Sequence, residues 1–159
     1  MLKVKDIMSR RVLTVTSDTT VKDAAALLAE KDISGVPVLE DHKLVGIFSE
    51  SDILHSIKTT KKDVHMVYPS ISPFGIAFQE DVSQREILEA YGEAGKMPVK
   101  TVMTKEVITV DPETPVNEAV VMMMDHRINR LPVLEKGVLV GIVTRGDIIK
   151  GLAKSRTTI

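Results

Sequence analysis

Two short segments of this chain place a hydroxyl three residues before a carboxylate, a spacing that suits two kinds of chemistry. They are SESD, from Ser49 to Asp52, and TRGD, from Thr144 to Asp147. At a helix start this spacing forms a capping box. The same helix start also offers free N–H donors and a partial positive charge, which favour a phosphate. An aspartate in that place can accept the paired hydroxyls of a ribose. The spacing alone leaves both interpretations open.

The two segments are corresponding parts of an internal repeat. The stretch VPVLEDHKLVGIFSESDILH, which begins at Val36, aligns without a gap with LPVLEKGVLVGIVTRGDIIK, which begins at Leu131, 95 positions later. Gly46 and Gly141 are shared, and each marks either a close backbone approach or a bulge. Because the repeat is long and occurs twice, it indicates a tandem duplication rather than a solenoid.

Each copy is predicted to fold in the order β-α-β-β-α, which gives an α/β (α+β) fold class. VLTV and VITV read as short strands. The segments after them have apolar residues at helical spacing, with Asp18 and Thr20 as the candidate caps of the first helix and Pro115 at the first helical position of the second. One copy alone would bury too little surface. We therefore expect the copies to pack together about a pseudo-twofold axis, as motifs 1–57 and 99–159.

Residues 58–98 lie outside the repeat and form an insert. YPSISPFG, from Tyr68 to Gly75, contains two prolines and a glycine, and we expect it to be irregular. SQREILEAYGEAG is predicted to form a short helix that presents Ile87, Leu88 and Tyr91 on one apolar face. An insert of this length predicts more than a simple connector, such as a cover over an edge, a dimer contact or a ligand.

Composition narrows the possible functions. The chain has no cysteine, which excludes disulfides, thiol catalysis and thiolate metal sites. Its net charge of −1 does not favour a nucleic-acid partner. No signal peptide or membrane span is evident, so we expect a cytoplasmic protein. The histidines lack metal-ligand spacing, and Met122 to Met124 are expected to pack in a core or a dimer face. No nucleophile with a base and no phosphate-binding loop appears, so an enzyme is not expected.

The repeated pattern resembles the cystathionine-β-synthase (CBS) domain, present here as a tandem pair of the kind called a Bateman module. The resemblance is carried by a proline-valine pair, a turn, a glycine between apolar residues and the hydroxyl-x-x-aspartate segment, in both copies. It implies clefts that bind adenosine-containing ligands, with AMP, ADP or ATP as the expected ligand and S-adenosylmethionine as another candidate. It also implies disc-like homodimers. An effector would then be a separate, unknown protein.

The resemblance assigns one set of ligand-binding residues to each copy. It places adenine near the first strand and the backbone before the proline, ribose on the aspartate, and phosphate on the hydroxyl and nearby basic groups. The first set is Thr14, Val15, Thr16, Ser34, Gly35, Val36, Ser49 and Asp52. The second set is Thr109, Val110, Asp111, Asn129, Arg130, Leu131, Thr144, Arg145 and Asp147.

The two sets differ in charge where phosphate is expected. The second has Arg130 and Arg145, whereas the first has Gly35 and Glu50 at the aligned positions. Guanidinium groups suit bidentate phosphate capture. We therefore expect the second site to bind AMP, ADP or ATP, and the first to bind weakly or to take a less anionic ligand such as S-adenosylmethionine. Solvated surface arginines, in a structural or interaction module without a ligand, are the alternative.

Overall fold

The computed structural model describes residues 1–60, 67–72, 75–80 and 84–155, and for 59–60, 67–72 and 75–80 it describes the backbone only. The helices are α1 (Val4–Ile7), α2 (Val21–Lys31), α3 (Glu50–Thr60), α4 (Gln84–Ala94), α5 (Val116–His126) and α6 (Arg145–Ser155), with a 3₁₀ turn at Val99–Thr101. The strands are β1 (Val15–Thr16), β2 (Gly35–Glu40), β3 (Lys43–Ser49), β4 (Val67–Ser72), β5 (Gly75–Glu80), β6 (Arg130–Glu135) and β7 (Val138–Thr144). This mixture confirms the predicted α/β (α+β) class.

The chain divides into two compact units, and each draws on both halves of the sequence. One unit comprises Met1–Val15, Pro37–Ile47 and Lys105–Ile159, and we call it the second-repeat unit because it holds the helices and strands of the second copy. The other comprises Thr16–Val36 and Phe48–Thr104, and we call it the first-repeat unit. The described strands form a three-stranded sheet, β1-β2-β3, and two hairpins, β4-β5 and β6-β7.

The core of the second-repeat unit is built on α5 and the β6-β7 hairpin. Val116, Ala119 and Met123 are buried along one face of α5, as their helical spacing predicts. They form one apolar cluster with buried residues of β6, β7 and α6, among them Leu131 and Ile148. Met123 therefore confirms the core-packing prediction, while the neighbouring Met124 points outward and is 72% exposed.

The strand predicted at the start of each copy is shorter than expected. In the second copy it is a single parallel bridge, in which the Val110 amide donates to Pro132 O at 3.1 Å and the Leu134 amide donates to Val110 O at 2.9 Å. In the first copy it is the two-residue β1. The reason is local, because a turn follows immediately. The Asp111 amide donates to Thr114 Oγ1 at 3.1 Å and so ends the extended segment.

The first nine residues of the chain pack in the second-repeat unit, an arrangement that the repeat pattern does not predict. Val4 of α1 is fully buried in that core, and its amide donates to Thr114 O at 2.9 Å. Gly141 permits this docking, because a Cβ there would lie 2.6 Å from Met8 Sδ and 3.0 Å from Ser9 O. Gly141 therefore marks a close approach, and the register of β6 and β7 also shifts beside it, between Val133 and Leu134, so both alternatives that the sequence left open occur here.

An equivalent arrangement occurs in the first-repeat unit, which contains the start of the second copy. The segment that opens the second copy bonds to the turn before α2, where the Val99 amide donates to Thr19 O at 2.8 Å. Helix α2 buries Val21, Ala24 and Leu28. Its cap is Thr20, one of the two candidates, and Thr20 Oγ1 accepts the Asp23 amide at 3.2 Å. The equivalent prediction for Pro115 is off by one residue, because Pro115 is the N-cap and α5 begins at Val116.

The insert contains a strand pair that the sequence analysis called irregular. Strands β4 and β5 pair antiparallel in a hairpin in which Pro69 lies opposite Phe78. The β-forming residues of both segments thus outweigh the prolines and glycine. Helix α4 confirms the predicted helix, but the fold of this chain does not bury its predicted apolar face. Ile87 and Leu88 are exposed, and the buried residues are Ala90 and Ala94, because small side chains let α4 pack closely on α3 and α2. Three interpretations of the sequence lie outside the described residues: Lys61 and Lys62 as part of a solvated basic loop, Phe74 as an aromatic that packs the insert onto the module, and His65 as a residue without a metal.

Candidate functional site

The motif of the second repeat forms a complete capping box at the start of α6. The Thr144 amide and Thr144 Oγ1 both donate to Asp147 Oδ2 at 2.9 Å. In return, the Asp147 amide donates to Thr144 Oγ1 at 3.3 Å. Asp147 is half-buried. The structural interpretation of this spacing is therefore correct for the second copy.

The capping box leaves half of the Asp147 carboxylate available. All the bonds to this carboxylate described above end on Oδ2, and no residue in the described ranges donates to Oδ1. A carboxylate oxygen can accept two hydrogen bonds. The cap therefore leaves Oδ1 with its acceptor capacity unused by the described residues. The two interpretations of the motif are compatible rather than exclusive.

Two backbone connections bring the other predicted residues of the second repeat toward Asp147. The Arg145 amide donates to Asn129 O at 3.1 Å, which fixes the residues before β6 beside the start of α6. The Val110 amide donates to Pro132 O, which places 109–111 against β6. Asn129, Arg130 and Thr109 are half-buried and Arg145 is exposed. The chain here provides exposed positive charge and polar groups near one carboxylate.

Three of the predicted second-repeat residues are engaged in the fold. Leu131 and Val110 are buried in the apolar cluster, so their side chains are not available to a ligand, and the Val110 amide and carbonyl already bond Pro132 and Leu134. Asp111 is exposed, but its Oδ1 accepts the Glu113 amide at 2.8 Å within the turn. Asp111 thus shapes the segment next to the site.

The motif of the first repeat carries an additional bond. The Ser49 amide and Ser49 Oγ donate to Asp52 Oδ2 at 2.9 and 3.2 Å, as in the second copy. Thr104 Oγ1 also donates to Asp52 Oδ1, at 3.1 Å. Asp52 is 9% exposed. Both oxygens of this carboxylate therefore accept hydrogen bonds from the chain itself, two on Oδ2 and one on Oδ1.

Sequence analysis missed Thr104, although a signal for it existed. Thr104 lies in VMT at the start of the second copy, and Ser9 in IMS is its aligned counterpart in the first. A hydroxyl occurs at this position in both copies. The backbone of Ser9 pairs with Ile142, at 2.9 and 3.0 Å, but within the described ranges its hydroxyl makes no bond to Asp147. The aligned hydroxyls thus differ in what they contact.

The remaining predicted residues of the first repeat are only partly brought together. The Glu50 amide donates to Ser34 O at 3.0 Å, which repeats the connection seen between Arg145 and Asn129. Gly35 and Val36 follow Ser34 and are buried. Thr16 is exposed, and its amide donates to Thr19 Oγ1 at 3.1 Å. Thr14 and Val15 fall in the second-repeat unit.

A pair of lysines holds the turn beside Asp111. Lys3 and Lys5 both bond the Glu113 carboxylate. These hydrogen bonds lower the pKa of Glu113 to about 2 and raise the pKa of Lys5. The first-repeat unit has a matched pair, in which Lys100 Nζ lies 2.9 Å from Asp18 Oδ1. Each opening segment is therefore tied to a turn by a lysine–carboxylate pair.

No group of three or more histidine, aspartate or glutamate side chains in the described ranges could hold a metal ion. Among the helices described, none combines the length and apolar character needed to cross a membrane.

Comparison with known proteins identifies the class to which this fold and these motifs belong. The CBS domain family matches the chain twice, at residues 4–59 and 99–154. The chain therefore belongs to the CBS-domain family, as a tandem CBS pair, which confirms the resemblance carried by the repeated motif.

Relatives share nearly the whole length of the chain. An uncharacterized protein of Methanocaldococcus jannaschii is 40% identical over 152 residues, which cover 94% of this chain and 90% of the relative. The structure of CBSX2 in complex with AMP, a protein from Arabidopsis thaliana, has a TM-score of 0.71 and 26% identity, covering 98% of this chain and 99% of CBSX2. The CBS domain pair of protein MJ0100, in complex with 5′-methylthioadenosine and S-adenosyl-L-methionine, has a TM-score of 0.67 and 25% identity over 98% of each chain.

Proposed function

We propose that this protein is a regulatory module that senses an adenosine-containing nucleotide, AMP, ADP or ATP, at the second repeat. The observation that carries the proposal is the Asp147 carboxylate. Its Oδ2 is used by the cap, and its Oδ1 has no donor among the described residues. A half-buried carboxylate oxygen with spare capacity is suited to accept ribose hydroxyls.

The surrounding groups suit the rest of a nucleotide. In the proposed arrangement adenine lies against the backbone of 109–111 and 129–131, and the phosphate lies at the start of α6. A helix start favours an anion, and Arg145 is exposed there. Gly146 adds no side chain at this point, and a Cβ built on it would approach no atom more closely than 3.7 Å. Phosphate therefore has both charge and room in this arrangement.

Related structures support the adenosine part of the proposal more strongly than the phosphate part. Their ligands are AMP in CBSX2 and 5′-methylthioadenosine with S-adenosyl-L-methionine in MJ0100. These three molecules share adenosine and differ in what is attached to it. The preference for phosphate depends on Arg145 and Arg130 in this chain, and S-adenosylmethionine is the second candidate ligand.

The proposed output is a change in packing that a separate effector protein detects, without catalysis by the module itself. We also propose a homodimer. The second-repeat unit presents four apolar side chains that are more than half exposed on its helices, namely Val121 and Met124 on α5 and Ile149 and Leu152 on α6. Exposed apolar residues of this kind are typical of protein–protein contacts. Light scattering of the purified chain gives the oligomeric state, and a monomer at micromolar concentration contradicts this part.

Thermal unfolding with a set of ligands tests the proposed function. The set is adenosine, AMP, ADP, ATP and S-adenosylmethionine, with GTP as the control for the base. A ligand that binds the native state at 100 times its dissociation constant adds about 2.7 kcal/mol. We expect stabilisation by adenine nucleotides and not by GTP. If no ligand in the set raises the unfolding temperature, the chain is an interaction module whose motif aspartates serve as caps.

Arg145→Ala separates nucleotide binding from adenosine binding. The variant should lose about tenfold in affinity for ATP, the value of one charge-assisted hydrogen bond, and should bind adenosine as before. Calorimetric titration with both ligands measures the two affinities. Lys150→Ala, which removes an exposed charge further along α6, is the matched control. Equal ATP affinity in wild type and Arg145→Ala contradicts the role of Arg145.

A further inference from the structure

The two motif aspartates are in different states although the motifs align. Asp147 receives its capping bonds on Oδ2, and no described residue donates to its Oδ1. Asp52 receives the equivalent bonds on Oδ2 and a third bond from Thr104 on Oδ1. The oxygen that would face a ribose in the second repeat is thus already bonded in the first.

A sugar at Asp52 would have either to displace Thr104 or to reach the one acceptor position left on Oδ1 of a nearly buried carboxylate. Thr104 Oγ1 lies 3.1 Å from Oδ1 and belongs to the same unit as Asp52, so its bond is intramolecular. A ribose would have to bind from solution. Asp52 is also 9% exposed, so its carboxylate offers little surface to a ligand. Displacing Thr104 would exchange one hydroxyl bond for another and gain almost nothing.

The charge beside the motif also disfavours a nucleotide at the first repeat. The residue after the hydroxyl is Glu50 in the first repeat and Arg145 in the second. A glutamate at a helix start is compatible with the helix dipole, but it repels a phosphate in the place where Arg145 would attract one. The first repeat is therefore unfavourable to both the ribose and the phosphate of a nucleotide.

We propose that Thr104 closes the ribose position of the first repeat, so that the chain has one working adenosine site, at the second repeat. Thr104 is then a specificity-determining residue that acts through Asp52. This inference rests on the proposed function, since it names which of two matched motifs binds the ligand. It adds that the inactive motif can be reopened by removing one hydroxyl.

Calorimetric stoichiometry tests the inference, with adenosine as the ligand because it is neutral and avoids repulsion by Glu50. Wild type should bind one adenosine per chain. Thr104→Ala should bind two, because Asp52 Oδ1 is released. Thr104→Ser retains the hydroxyl and should bind one. Ser9→Ala is the matched control at the aligned position, where no bond to Asp147 is described, and should also bind one.

Two further variants identify which site is filled. Asp147→Asn keeps the shape of the side chain and should weaken adenosine binding by at least tenfold, whereas Asp52→Asn should leave it unchanged. The double variant Thr104→Ala/Asp147→Asn should bind one adenosine, now at the first repeat. Circular dichroism and the unfolding temperature show that each variant is folded before it is titrated.

The outcomes distinguish the inference from the function on which it rests. The inference is wrong if wild type binds two adenosines or if Thr104→Ala binds only one. In either case the sensing function stays in place. Loss of binding in Asp52→Asn with retention in Asp147→Asn also overturns it. No binding of adenosine or of any nucleotide to wild type and Thr104→Ala rejects the proposed function, and the inference with it.

Discussion

The start of α3 in the first repeat and the start of α6 in the second repeat carry the same motif but differ in the hydrogen bonds that its aspartate accepts. Both retain the hydroxyl, the aspartate and the bonds of the cap. They differ at the carboxylate oxygen that the cap does not use. In the first repeat this oxygen accepts a hydrogen bond from Thr104 Oγ1. The capping role of the motif is therefore the same in both repeats, and the contacts of the second carboxylate oxygen, Oδ1, have diverged.

Removing each aspartate should show this difference as a difference in stability. Asp52→Ala leaves three donors without their acceptor in a nearly buried place, and we expect it to lower the free energy of unfolding by about 3 kcal/mol. Asp147→Ala removes a cap at a half-buried place and should cost about 1 kcal/mol. Urea unfolding of the two variants without ligand measures both values. Equal losses contradict the view that Asp52 has become the more structural of the two.

A glycine on α6 gives a second contrast between the repeats. Gly151 packs against α1, and a Cβ there would lie 2.5 Å from Ile7 Cγ2. Its aligned counterpart, Ser56, is buried and has a side chain that donates to Ile53 O at 2.6 Å. Gly151→Ser should therefore destabilise the chain by about 2 kcal/mol through overpacking.

The control for this change is the reverse substitution at the matched position. Ser56→Gly removes one hydroxyl and adds backbone freedom, so a loss of about 1 kcal/mol is expected. Thermal unfolding compares the two. A smaller loss for Gly151→Ser than for Ser56→Gly means that α1 can move away from α6 without penalty, which contradicts close docking of the first residues.

The local part of the fold followed from the sequence, and the long-range part did not. Helical spacing gave α2, α4 and α5, and the repeated proline-valine and glycine segments gave the β6-β7 hairpin. In contrast, the β4-β5 hairpin was missed because its prolines and glycine were given more weight than its β-forming residues. The docking of α1 was missed because its contacts, such as Val4 to Thr114, join residues 110 positions apart.

The candidate site shows the same limit. The spacing of hydroxyl and carboxylate supplied both aspartates and both hydroxyls before the family resemblance suggested a ligand, and the structure shows each pair bonded as a cap. Thr104 was not found, because its partner Asp52 is 52 positions away in the sequence. A search for polar residues shared by both copies would have selected Thr104 and Ser9 together. It could not have shown that only one of the two hydroxyls bonds its aspartate among the described residues.

The contact of Glu113 with Lys3 and Lys5 gives the smallest expected effect, and that effect depends on pH. Glu113 bonds Lys3 and Lys5, which lowers its pKa from 4.5 to about 2. Because the folded-state pKa is the lower one, this contribution to stability is fully present above about pH 4.5 and is lost as the pH falls toward 2. Glu113→Gln should therefore be less stable than wild type at pH 6, and the difference should shrink below pH 4.5.

Asp18→Asn, which removes the partner of Lys100 in the other unit, is the matched control. It should lower the free energy of unfolding less at pH 6, because Glu113 bonds two lysines. Urea unfolding from pH 2.5 to 7 measures both differences, and a constant difference between wild type and Glu113→Gln shows that the pair does not stabilise the turn beside Asp111.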